Sequence, residues 1–132
     1  MLLTAYACLL AVALTLNRKD RRMLALTALV GVSIFIPVPR DTALQFYTFC
    51  IAAECVVALV ALRIGGRGSI AIAELCVLLV IAHLMGYALN GHPPFSPYRV
   101  IVKLLETSQL VCCIVASPYL AARLHNHDAP TL

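Results

Sequence analysis

The sequence contains no tryptophan, and only 12% of its 132 residues are charged. Soluble domains carry about 25% charged residues, so the polar surface of a water-soluble fold is missing. Acidic groups are scarcest, with six Asp and Glu against ten Lys and Arg. No CxxC or Cys/His pattern with metal-ligand spacing occurs, which argues against a zinc site or a redox dithiol. Walker, dinucleotide-binding glycine and HExxH patterns are also lacking. Haem ligation across helices wants paired internal histidines, and only His83 lies well inside an apolar run. These absences point away from an enzyme and leave no metal or cofactor to expect.

What is present is apolar sequence: 62% hydrophobic residues and a mean hydropathy of +0.94. The six cysteines (Cys8, Cys50, Cys55, Cys76, Cys112 and Cys113) all fall within it and read as small, polarizable packing residues. Five apolar segments follow one another at 2–16, 23–38, 43–62, 70–89 and about 100–122. A hydrocarbon core about 30 Å thick takes roughly 20 helical residues, which the third and fourth segments supply directly. The first two need flanking residues or local thinning to cross. The first segment has its charges after the apolar stretch, unlike a cleaved signal, and reads as a retained span. The expected fold class is therefore all-α: one integral membrane helical bundle of about five transmembrane helices, or four if the first lies on the surface.

Basic residues decide the orientation. Loop 17–22 carries Arg18, Lys19, Arg21 and Arg22, loop 63–69 carries Arg63 and Arg67, and the tail carries Arg123. The opposite side has Arg40, Arg99 and Lys103. The positive-inside bias predicts an inner (cytoplasmic) membrane protein with its N-terminus outside and C-terminus in the cytoplasm. The basic residues sit between hydrophobic runs, so the net charge of +4 signals topology and not nucleic acid. Pro37 and Pro39 close the second segment, and Pro118 should kink or end the fifth. The prolines of 90–97 stiffen the outer connection, where Phe95 and Tyr98 are placed to anchor at headgroups.

All three glutamates, Glu54, Glu74 and Glu106, interrupt apolar segments. Carboxyl groups are costly in lipid and usually face a bundle interior, a partner or a wet path. Helical depth puts Glu54 and Glu74 in the inner half, about 6 Å apart in height, with both expected to face protein. His83 and Glu106 fall in the outer half, where a His–Glu contact would form an ion pair or proton-sharing site. Glu74 and His83 are half a turn out of phase, so they cannot serve one narrow groove. Cys76, His83, Tyr87 and Asn90 share one stripe, and Tyr47, Cys50 and Glu54 share another. Lys103 three residues before Glu106 predicts an i,i+3 ion pair. The polar seam comprises Glu54, Glu74, His83, Glu106, Lys103, Tyr87 and Asn90, and it serves either an ion or proton path or helix packing. The segment holding both Lys103 and Glu106 inserts poorly alone, so it is expected to meet a partner.

The short uncharged N-terminal span, the NRKDRR loop and the compact hydrophobic hairpins resemble small multi-span membrane proteins of bacteria and their phages. Among these the holins oligomerise and permeabilise the inner membrane. The resemblance implies a small oligomeric, holin-like or channel-like permeability factor whose partners are the lipid bilayer and further copies of itself. Two other classes fit the seam: an accessory subunit bound to another membrane protein, and a small proton- or ion-coupled transporter.

Overall fold

A computed structural model describes residues 2–37, 42–90 and 96–118, and every regular element among them is a helix. In chain order these are α1 (Leu2–Asn17), α2 (Arg21–Phe35), α3 (Ala43–Ile64), α4 (Arg67–Asn90) and α5 (Ser96–Val115). The outer connection with Phe95, residues Pro39 and Arg40, and the tail with Arg123 lie outside the described residues.

Local chemistry sets the helix ends. Asp20 caps α2, its carboxylate accepting from the amides of Arg22 and Met23 at 2.9 and 3.2 Å. Thr42 caps α3 in the same way through the Gln45 amide. Ile36, held extended before Pro37, ends α2. The turn between α3 and α4 is shorter than the sequence suggested. Helix continues through Ile64 and resumes at Arg67, leaving only Gly65 and Gly66 at φ 71° and 89°. Glycine occupies this left-handed region without steric cost. α5 starts at Ser96, ahead of the expected segment, and ends at Val115 before Pro118.

Short connections force antiparallel neighbours. The helices close a ring in chain order, α5 returning to α1, with α2 also touching α5. α1 runs along α5 from Tyr6 to Asn17. At one end the Tyr6 hydroxyl donates to the Lys103 carbonyl at 2.9 Å, and at the other Asn17 reaches the Cys113 carbonyl at 2.9 Å. Arg18, Lys19, Arg21, Arg22, Arg63 and Arg67 gather at the end carrying the α1–α2 and α3–α4 turns, hereafter the basic end.

The apolar core joins Tyr6 and Ala13 of α1 to Leu26 and Val30 of α2, Val57 and Ala61 of α3, Ile72 and Cys76 of α4, and Leu110 and Cys113 of α5. The outside is apolar too, with Leu59, Leu62, Leu84, Leu104 and Val115 all exposed. Such a continuous exposed apolar surface is foreign to a soluble monomer. α3, and α4 from Arg67 to Leu89, are long and apolar enough to cross a membrane, with mean hydropathies of 1.9 and 2.2.

Gly68 marks a close approach. A β-carbon there would lie 2.1 Å from the β-carbon of Ala116, just past the end of α5, so the start of α4 packs on this segment through a residue with no side chain. Gly68→Val is expected to cost about 1–3 kcal/mol by overpacking. Retention of the monodisperse peak after a heating series checks this, and an unshifted midpoint would contradict the contact.

Candidate functional site

Polar side chains occupy the bundle interior in three layers. At the basic end, buried Asn17 donates to Thr27 Oγ1 at 3.1 Å as well as to Cys113, and Thr27 donates to the Met23 carbonyl at 2.7 Å. Ser117 closes this layer by donating to the Leu16 carbonyl at 3.0 Å. The positions 6, 13 and 17 fall on one face of α1, which is why Asn17 turns inward from the edge of a charged loop.

The middle layer joins three helices. Glu54 of α3, 5% exposed, accepts from Gln109 Nε2 of α5 at 3.0 Å. The same nitrogen lies 3.2 Å from Cys76 Sγ of α4. On α3 the buried residues 47, 54, 57 and 61 form one stripe, and on α5 the residues 109, 110 and 113 form another, continued just past its end by 117. These stripes bring the carboxyl and the amide together across the bundle.

The outer layer has two parts. His83 Nδ1 and the Tyr98 hydroxyl share a 2.6 Å hydrogen bond. The Tyr47 ring packs edge-on against His83, Tyr87 and Tyr98, at centroid distances of 6.4, 5.8 and 5.7 Å. Gly86 makes room, since a β-carbon there would come within 2.8 Å of the Tyr98 ring. Beside this cluster, Lys103 Nζ is 3.9 Å from Glu106 and 5.2 Å from the centre of the Tyr6 ring. Thr107 donates to the Tyr6 hydroxyl at 3.3 Å.

The expected seam is thus partly assembled. Glu54 is buried against Gln109, and Glu106 is half-buried beside Lys103. Glu74 does not join them. It is exposed, because the α4 residues that face the bundle are 69, 72, 73, 76, 79, 83 and 86. His83 binds Tyr98 instead of Glu106, since Glu106 sits toward α1 and Lys103. Tyr87 is exposed but touches Tyr47, and the Asn90 side chain is outside the described residues. Asn17, Thr27 and Gln109 carry more of the interior polarity than sequence reasoning assigned to them.

Three buried atoms have no hydrogen-bond partner among the described residues: Asn17 Oδ1, Gln109 Oε1 and the Tyr47 hydroxyl. They mark one site in each layer, and buried polar atoms of this kind usually take water or a ligand. No group of three or more His, Cys, Asp or Glu able to hold a metal occurs among the described residues.

Fold and interior together define, over the described residues, an all-helical protein with two helices long and apolar enough to cross a membrane and a layered polar core. The chain matches no known family model, no curated protein and no solved structure.

Proposed function

We propose that the protein is a five-span inner-membrane permeability factor that works as an oligomer and is joined through the outer face of α4. The observation that carries this reading is Glu74. Glu54 and Glu106 have polar partners inside the bundle, whereas Glu74 is exposed about 10 Å along α4 from Arg67. A carboxyl at that depth is costly against lipid and favours a neighbouring copy or a wet path between copies.

The surroundings of Glu74 suit helix association. Ile70, Glu74, Val77, Ile81, Leu84 and Ala88 are all exposed and recur at alternating spacings of four and three. That is the spacing of a coiled-coil seam, with one carboxyl in it. The exposed apolar outside supports lipid contact on the remaining faces. Contacts of α1 with α5 at both ends support five spans over four, although α1 and α2 have 16 and 15 residues and require some bilayer thinning. The seven-to-three bias of basic residues supports a cytoplasmic basic end.

A second reading is a proton or ion path through a single bundle. It is favoured by the unpartnered atoms in successive layers.

Cysteine crosslinking in native membranes tests the oligomer. With the exposed Cys8 and Cys55 replaced by alanine, Ile81→Cys should form disulfide-linked dimers on oxidation, while Leu104→Cys should not. Dimers at Leu104 alone would move the interface to α5, where the Lys103–Glu106 pair first suggested it. No dimers at either site would favour a monomeric transporter or an accessory subunit.

A further inference from the structure

Two cavities lie side by side at the basic end. The larger, about 590 Å³, is lined by Leu16, Lys19, Asp20, Arg21, Arg22 and Pro118. The smaller, about 300 Å³, shares Asp20, Arg22 and Pro118 and extends to Arg67 and the first turn of α4. Together they make a cleft with one apolar wall and cations on two sides.

Among the described residues, the charges in this cleft are not neutralised from within. Asp20 is the one acid lining it among the described residues, and its Oδ1 already accepts two α2 amides. The Lys103–Glu106 pair at the far end is the only ion pair among the described residues. Lys19, Arg21, Arg22 and Arg67 therefore line the cleft with no ion-pair partner among the described residues. Their donors suit phosphate oxygens, with Arg21, Arg22 and Arg67 able to grip two oxygens each.

We infer that this cleft binds the phosphate of an anionic phospholipid headgroup, with the glycerol and acyl stem leaving along Leu16. Position decides for lipid over a free anion. Leu16 is the last apolar residue of α1 before Asn17, so the apolar wall sits where hydrocarbon meets headgroups on the membrane reading. A basic pocket at the cytoplasmic ends of helices is a headgroup site by its chemistry. Scattered topology-setting cations would require no cavity.

Native mass spectrometry of the full chain released from nanodiscs tests this. Discs contain phosphatidylcholine with a minor fraction of phosphatidylglycerol, and retained lipid is counted per protein. Arg21→Gln with Arg22→Gln should weaken phosphatidylglycerol retention roughly 30-fold, from about fivefold per cation. Arg18→Gln with Arg63→Gln removes the same charge from positions that line neither cavity and should change retention far less. Lys19→Gln with Arg67→Gln attacks the cleft from its other sides and should act like the first pair, which guards against a folding defect in either. Equal losses in cleft and control pairs would overturn the site in favour of diffuse surface charge, as would no loss in either cleft pair. Displacement of the lipid by millimolar inorganic phosphate would overturn the lipid source.

Discussion

Glu54→Lys is expected to abolish accumulation of folded protein, whereas Glu54→Gln should preserve it. Glu54 is buried in the middle layer, with the Gln109 amide as its polar partner and Cys76 beside it. An ammonium there finds one free acceptor, Gln109 Oε1, for three donors, and Glu106 is already engaged by Lys103. Leaving a charge uncompensated in such a place costs about 3–5 kcal/mol, a large share of any domain's stability. Glutamine behaves differently. Its oxygen keeps the bond from Gln109 Nε2, and its new amide group can donate to Gln109 Oε1, so a reciprocal amide pair satisfies both side chains. The monodisperse yield of a fluorescent fusion in detergent measures the contrast. Equal yields for the two variants would contradict the middle layer as described.

Glu74→Leu should act in the opposite sense, raising insertion and yield while removing permeability. Leucine at this exposed position lowers the cost of inserting α4 by about 3 kcal/mol. It also removes the one ionisable group in the 70–88 seam. Interhelical polar contacts measured in model peptides are worth about 1–2 kcal/mol, so self-association should weaken by about 5- to 30-fold. The expected phenotype is abundant, folded protein without dye entry on expression. Undiminished dye entry in Glu74→Leu cells would remove α4 from the function.

Much of this arrangement was legible in the chain because helical phase is a local property. Tyr47, Cys50 and Glu54 repeat at three and four, and they do share a face. The half-turn offset between Glu74 and His83 was equally readable. Which of those two faces the bundle was not, since either face of α4 is apolar enough to be buried. Small residues decided it: Gly68 and Gly86 let α5 approach on the His83 side, and a stripe of polar residues carries no such information alone. Asn17 was hidden by its neighbours, because NRKDRR reads as an aqueous loop throughout. Its inward turn depends on acceptors from α2 and α5 far away in sequence. Gln109 is a polar residue in an apolar segment, and its role needed Glu54 placed opposite it across the bundle. His83 and Glu106 have separate partners for the same kind of reason. Height alone made a contact between them reasonable, while rotation of α5 turned Tyr98 to His83 and Glu106 toward Tyr6.

The most direct measurement is ion efflux from liposomes holding purified protein across a dilution series of protein to lipid. An oligomeric factor joined through α4 predicts efflux per protein that rises steeply with protein density, and Glu74→Leu should shift that rise to higher density or remove it. Efflux per protein independent of density, unchanged by Glu74→Leu, would contradict the account and assign conduction to the layered interior of a single bundle.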